Sequence, residues 1–284
     1  MDATVTDFHY GAVTPVAAYL MACLGSALGL RCTVRSMRRG SRRQKNGWLS
    51  LAAVSLGCGI WTMHFIAMMG FRADGSDISY DTRLTLLSLA VAVAVTALGV
   101  FLVGHLGSGA KVLATAGLLM GLGVAAMHYI GMSAMQVHGG MRYDTMTVAL
   151  SVLIAVVAAT AALWAAVTVR NLWSSLGASL VMGVAVSGMH YTGMAAVSVH
   201  VDPTGATSVQ SSIDQLSFLL AMIAGPVVML IVAATIVMFD PDLVLGDEAR
   251  PASRRHAARS STPTATGQRG PHGQYYEDTR PESR

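Results

Sequence analysis

Three histidines recur in the sequence within one short motif: a methionine, the histidine, an aromatic residue and, four residues after the histidine, a second methionine. The copies are Met63-His64-Phe65 with Met68, Met127-His128-Tyr129 with Met132, and Met189-His190-Tyr191 with Met194. Imidazole nitrogens and thioether sulfurs are ligands that copper, and Cu(I) in particular, accepts, whereas magnesium, calcium and manganese require oxygen. The donor types therefore predict a copper site that the three copies share.

Small residues accompany each histidine at helical spacing. They lie seven residues before it and three residues after it. The six positions are Gly57, Gly121 and Gly183, then Ala67, Gly131 and Gly193. On a helix these positions, like the methionine at +4, lie near the histidine's own face. Small residues there let neighbouring helices approach closely or leave room for a bound species. Both alternatives predict that the three histidines point into one bundle.

The competing interpretation is that the motif residues only pack. Methionine is a common gap-filler in helical cores, and one buried histidine can be satisfied by a carbonyl. Three copies of the same motif favour a shared functional site, because polar side chains inside a membrane are costly and by default have a function.

The elements that must position these residues are transmembrane helices. The 284-residue chain is 53% hydrophobic and 12% charged, against about 25% charged in soluble domains. A helix needs about 20 apolar residues to cross the membrane. Seven stretches qualify, approximately 12 to 34, 48 to 71, 84 to 106, 112 to 135, 147 to 169, 176 to 197 and 216 to 239. We predict an all-α, seven-transmembrane helix bundle built from three two-helix repeats plus one extra helix.

Basic residues predict the orientation of this bundle. All but three of the 19 Lys and Arg residues fall on one side, and the other side has only Arg72, Arg83 and Arg142. Cytoplasmic segments carry the Lys and Arg excess, so we expect the N-terminus outside and the C-terminus in the cytoplasm. This also places the three histidines at one depth in the outer leaflet. The basic excess is thereby explained, and no nucleic-acid partner is predicted.

The composition divides the chain into two parts. Residues 1–240 are predicted to form the membrane domain. Residues 241–284 are rich in Pro, Ser, Thr, Gly and Arg and have no apolar period. Such a segment cannot bury enough surface to offset its ordering entropy, so we predict a disordered basic cytoplasmic tail.

Aspartates precede three of the odd-numbered spans. Asp81 and Asp144 each stand within a Tyr-Asp-Thr sequence before the third and fifth spans, and Asp214 occupies a looser equivalent position before the seventh. A carboxylate just before a helix accepts hydrogen bonds from the free N–H groups of its first turn. We predict N-capping, in preference to metal delivery, for all three.

The motif copies resemble the MHYT family of bacterial integral-membrane sensor modules, whose name is spelled by Met189-His190-Tyr191-Thr192. The resemblance covers residues 1 to about 240. It implies a domain of paired transmembrane helices in the bacterial cytoplasmic membrane, with the motifs near its outer face, that binds copper and senses oxygen, carbon monoxide or nitric oxide. Phe65 departs from the pattern, since the phenol hydroxyl of Tyr129 and Tyr191 is missing there.

Two functional hypotheses remain. The first is a membrane sensor that binds copper through the motif His and Met residues, with a diatomic gas as ligand, and signals to a cytoplasmic partner. The second is a transporter or channel for copper or another small solute. The inner halves of the even-numbered spans have only Met120, Met182 and Cys58 as sulfur donors, which favours a one-sided sensor site. An enzyme is not predicted, because the spans contain no carboxylate, lysine or Ser-His-Asp arrangement.

Overall fold

A computed structural model describes residues 5–38, 41–73, 78–137, 139–169, 171–201 and 209–239. The helices in this part are α1 (Val13–Met37), α2 (Arg42–Met69), α3 (Thr82–Leu106), α4 (Ala110–Ala134), α5 (Thr145–Thr168), α6 (Leu172–Ala195) and α7 (Val209–Met238). The strands are β1 (Val5–Thr6), β2 (Arg72–Ala73), β3 (Ile78–Tyr80), β4 (Met135–Val137), β5 (Gly139–Tyr143) and β6 (Val197–Val201). The tail predicted for residues 241–284 lies outside the described residues.

The helices fit a multi-pass membrane protein. Six of those described are long and apolar enough to cross a membrane: α1 to α5 and, from Leu216 onwards, α7. The remaining helix, α6, is 24 residues long and carries several Ser and Gly residues as well as His190. Most helices begin somewhat earlier than the predicted spans, and the largest differences are at α2, which begins at Arg42, and α7, which begins at Val209. The added residues of α2 include Arg, Gln and Lys, which are good helix formers, so this helix extends beyond its apolar stretch.

The first six helices form a closed ring. Each of α1 to α5 packs against the next helix, and α6 returns to pack against α1. The extra helix, α7, packs mainly against α2, with smaller contacts to α1 and β3. Because α2 has neighbours on three sides, it is the most thoroughly buried of the predicted spans.

A pair of antiparallel strands closes one end of each helix hairpin. β1 pairs with β2 at the end of the α1/α2 hairpin, β3 with β4 at the α3/α4 hairpin, and β5 with β6 at the α5/α6 hairpin. We call this end, where α2, α4 and α6 finish, the capped end. The strands were not predicted from the sequence. They show that the repeating unit is strand–helix–helix–strand, which confirms three two-helix repeats plus one extra helix.

The glycines seven residues before the histidines bring neighbouring helices together. A Cβ on Gly57 would lie 2.8 Å from the backbone of Val93 in α3. Gly121 meets the backbone of Val156 in α5 in the same way, and Gly183 faces Cys23 in α1. Close helix approach is therefore the correct alternative for these three positions.

Two of the three predicted N-caps are present. Carboxylate oxygens of Asp81 and Asp144 accept hydrogen bonds from the backbone N–H groups of Leu84 and Thr147, each at 2.9 Å. The prediction for Asp214 is wrong, because α7 begins at Val209 and Asp214 lies within it.

The cap of α5 makes stability depend on pH. Hydrogen bonds from the side chain and then the backbone of Thr147 lower the pKa of Asp144 from its ordinary value of 3.8. A carboxyl group with a lowered folded-state pKa stabilises the fold above its unfolded pKa, and this is lost as the pH falls through the folded value. We expect Asp144→Ala to lower the midpoint of denaturant unfolding, followed by circular dichroism, at pH 7. The difference from wild type should vanish as the pH falls below 3.8.

The control for this cap is Asp144→Asn, because an asparagine oxygen still accepts the N–H groups of the first turn. It should keep most of the stability at pH 7. If asparagine and alanine lower the midpoint equally, the hydrogen bonds of the cap do not stabilise the fold.

Candidate metal centre

The three motif histidines meet inside the ring. Each stands five or six residues before the end of its helix, at the capped end of α2, α4 or α6. The Nδ1 atoms of His64 and His190 are 3.0 Å apart, those of His64 and His128 are 3.2 Å apart, and those of His128 and His190 are 3.4 Å apart. All three side chains are at most 1% exposed. The prediction that they point into one bundle is confirmed, and we call them the histidine trio.

The trio cannot satisfy its own hydrogen-bonding needs. A neutral imidazole carries one N–H, on either Nδ1 or Nε2, and its other nitrogen offers a lone pair. Each of the three Nδ1 atoms that face one another carries either an N–H or a lone pair. At least two of them must therefore be alike, so two lone pairs or two N–H groups always oppose each other. A cation at the centre would accept all three lone pairs at once.

The size of the trio also fits a metal ion. A point equidistant from the three Nδ1 atoms lies about 1.9 Å from each, close to the ~2.0–2.1 Å of an imidazole–zinc bond. Among the described residues, the three histidines form a group whose ligand atoms lie within 4.8 Å of one another. The imidazoles are nearly perpendicular, with interplanar angles of 76° to 87°. The arrangement can therefore offer three nitrogens to one ion.

Two of the histidine rings are each accommodated by a glycine that stands three positions after the histidine of the next motif helix. Nε2 of His64 faces Gly131 in α4, and Nε2 of His128 faces Gly193 in α6; a Cβ at either glycine would overlap the imidazole. In the sequence, Ala67 of α2 occupies the position after His64 that the two glycines occupy after His128 and His190. The two glycines thus make room for the imidazoles themselves, a role that the sequence did not indicate.

The outward-facing nitrogens carry an energetic cost. Nε2 of His64 and Nε2 of His128 are buried and have no hydrogen-bond partner among the described residues. If the Nδ1 lone pairs face the centre, these nitrogens carry the N–H groups, and each unsatisfied donor costs roughly 1–3 kcal/mol. Bonds from Nδ1 to an ion would offset that cost.

The six motif methionines lie in two layers. All are at most 3% exposed. Those before the histidines, Met63, Met127 and Met189, pack in the main core of the bundle. Those four residues after, Met68, Met132 and Met194, pack in a second apolar cluster with residues of the strand pairs and connections. The structure thus unites the three histidines and buries all six methionines within about one helical turn of them along the chain; metal ligation by the methionines stays a prediction.

The aromatic motif residues pack edge-on against their own histidines. Ring centroids lie 4.8 Å apart for Phe65, 4.9 Å for Tyr129 and 5.0 Å for Tyr191. The hydroxyl groups of Tyr129 and Ser151 in α5 are 2.6 Å apart. The ring of Tyr191 stacks on Phe8 of the N-terminal segment.

One residue of the first copy was missed by the sequence analysis. Trp61 packs on Phe65 with a centroid distance of 4.4 Å, and its indole N–H donates to Ser88 Oγ at 2.9 Å. Ser88 stands seven residues after Asp81, as Ser151 stands seven after Asp144. Trp61 therefore supplies the hydrogen bond that Phe65, lacking a hydroxyl, cannot make. The signal was a tryptophan that occurs only in the copy without tyrosine.

The comparison with protein families agrees with this geometry. The family described as MHYT, bacterial signalling protein N terminal repeat, matches residues 57–116, 121–179 and 183–244. The chain belongs to the MHYT family. Each MHYT repeat begins at the glycine seven residues before its histidine. The third repeat includes the end of α6 and the whole of α7. In the structure, however, α6 packs against α1, and α7 packs against α2.

Several MHYT relatives are signalling proteins. The bifunctional diguanylate cyclase/cyclic di-GMP phosphodiesterase MucR of Pseudomonas aeruginosa is 42% identical over 193 residues, which cover 66% of this chain and 28% of MucR. The cyclic di-GMP phosphodiesterase NbdA of the same organism is 38% identical over 205 residues, which cover 70% of this chain and 26% of NbdA. The signaling protein YkoW of Bacillus subtilis is 29% identical over 191 residues, which cover 64% of this chain and 23% of YkoW.

The matched part of these relatives is their membrane sensor domain. This chain spans about a quarter of their length. No solved structure matches the chain. The family and its signalling relatives show that this MHYT chain is a membrane sensor and signalling protein.

Proposed function

We propose that residues 1–240 form a copper-binding membrane sensor, with the N-terminus outside, the C-terminus in the cytoplasm, and oxygen, carbon monoxide or nitric oxide as the sensed ligand. The observation that carries this proposal is the convergence of three buried Nδ1 atoms within 3.4 Å of one another. Three nitrogens with thioethers nearby suit Cu(I), whereas the carboxylate and carbonyl oxygens that magnesium or calcium needs do not occur in the trio. When bound, copper supplies a Lewis-acidic centre and a one-electron redox couple.

The residues of the chain link this centre to helix positions. His64 projects from α2 onto Gly131 of α4, and His128 projects from α4 onto Gly193 of α6. A shift of either imidazole therefore presses on, or releases, the backbone of the next helix. Packed interfaces convert such small shifts into discrete helix movements. A cytoplasmic signalling partner would detect that movement, and the names of MucR and NbdA suggest one that handles cyclic di-GMP.

Transport of copper is supported less well. One turn below the trio, away from the capped end, the positions on the histidine face are Ile60, Val124 and Val186. These buried aliphatic side chains offer no ligand to a passing ion. Protein-dependent copper uptake into proteoliposomes would reverse this ranking.

The proposal is tested by Cu(I) binding to the purified protein in nanodiscs. In anaerobic competition with a chromogenic Cu(I) chelator, we expect saturable binding of one copper per chain. X-ray absorption should then show nitrogen neighbours at about 2.0 Å, the length of imidazole–metal bonds. Copper that binds without saturation, or with oxygen neighbours alone, would contradict the proposed centre.

A further inference from the structure

A cavity of about 30 Å³ lies inside the ring, beneath the histidine trio on the side away from the capped end. All three motif helices line it with the residues four and eight positions before their histidines. These are Ile60 and Leu56, Val124 and Met120, and Val186 and Met182. Positions at −4 and −8 share the histidine's helix face, and one turn rises 5.4 Å. The cavity, which we call the axial cavity, therefore lies on the axis of the trio and begins about one turn below it.

Small residues of α5 keep this space open. Ala155, Ala158, Ala159 and Ala162 form one wall, and alanine is too short to reach across it. Met189, the residue before His190, also lines the cavity and is the lining residue nearest to the trio in sequence. Ala158 is only half-buried, so the cavity comes close to the outer surface of the ring.

The chemistry of the lining excludes water as the natural occupant. The volume is at least twice the ~10–15 Å³ that one water molecule needs, but a buried water also needs two to four polar partners. The only side chain with a polar group that lines the cavity among the described residues is Ser26. Apolar cavities of this kind stay dry and take up small apolar molecules such as xenon.

We propose that the axial cavity is a binding site for a small apolar molecule of the size of dioxygen, which enters from the lipid phase. Such a molecule would sit about one turn from the trio, held by dispersion contacts with aliphatic and thioether groups. Its role rests on the proposed function: a cavity adjoining the metal centre raises the local concentration of a gas ligand there. The binding itself requires no metal.

The test uses xenon and copper-free protein in nanodiscs, labelled with ¹³C in the methionine methyl groups. Methyl signals are assigned by single Met→Leu variants. We expect xenon to shift the signals of Met120, Met182 and Met189 saturably, while lipid-exposed Met146 shows only the linear response of xenon dissolved in the bilayer. Ala159→Val fills the cavity and should abolish the saturable shifts. Ala161→Val adds the same atoms on the exposed face of α5 and should preserve them.

A second variant guards against misfolding of the filled protein. Val186→Ala enlarges the cavity, and we expect half-saturation at a lower xenon pressure than in wild type. Linear, equal shifts in wild type, Ala159→Val and Val186→Ala would overturn the proposal. Because copper is absent, this result is independent of the Cu(I) titration: saturable xenon binding without copper binding would refute the metal centre and leave the cavity site standing.

Discussion

Replacing His128 with alanine is expected to reduce Cu(I) affinity by more than about 100-fold, beyond the 10–100-fold that follows from loss of a group that merely orients a ligand. The reason is that one of three buried nitrogens disappears from a site whose Nδ1 atoms lie 3.0 to 3.4 Å apart. His64→Ala and His190→Ala should behave alike, since the trio has near-threefold symmetry. The measurement is competition with a Cu(I) chelator, and the triple variant should bind no copper.

Stability provides a second measure of the same effect. A ligand at 100 times its dissociation constant stabilises the folded state by about 2.7 kcal/mol, so copper should raise the unfolding midpoint of wild type and leave that of His128→Ala unchanged. The matched control is His105→Ala, which removes an exposed histidine from the last turn of α3. It should retain both the copper affinity and the shift in midpoint. Undiminished copper binding by the triple variant would rule out the trio as the metal centre.

Adding one methyl group to Gly131 or Gly193 is expected to disrupt the same centre without removing a ligand. The new Cβ would overlap Nε2 of His64 or His128, so the imidazole and the helix must move apart. Inserting a methyl group into a packed core costs roughly 1–3 kcal/mol. Loss of imidazole orientation should lower Cu(I) affinity by about 10–100-fold. The two quantities are measured by denaturant unfolding and chelator competition.

The control for these substitutions is Gly188, which lies on the same helix as Gly193 and two residues before His190. A Cβ at Gly188 would meet no atom within 4 Å. Gly188→Ala should leave copper affinity unchanged and cause no loss of stability, because alanine is the better helix former. If all three substitutions lower copper affinity equally, overlap with the imidazoles is not the cause.

Much of this architecture was predictable from the sequence, because two strong signals were available. The length of the apolar stretches identified the helices, and the threefold motif identified the trio and its inward direction. The strands were missed because they are only two to five residues long. β3 and β4 alternate over three residues only, and β6, Val-Ser-Val-His-Val, alone reaches the four or more residues of alternation that indicate a strand.

The finer geometry of the site depends on tertiary packing that spacing does not encode. Which imidazole nitrogen faces the centre follows from the contact of Nε2 with Gly131 or Gly193 on a different helix. The separation of the methionines into two layers likewise depends on the strand pairs that cover the capped end. The axial cavity depends on alanines of α5, a helix without a motif.

The closed ring and its extra helix differ in where they take the chain. Each strand–helix–helix–strand unit starts and finishes at the capped end, so three units alone would leave both ends of the membrane domain there. α7 starts beside β3 and runs once along the bundle, which brings the chain to the end away from the strand pairs. Under the proposed function, duplicating or deleting a whole hairpin would therefore change the symmetry of the centre without changing which end of the bundle faces the signalling partner.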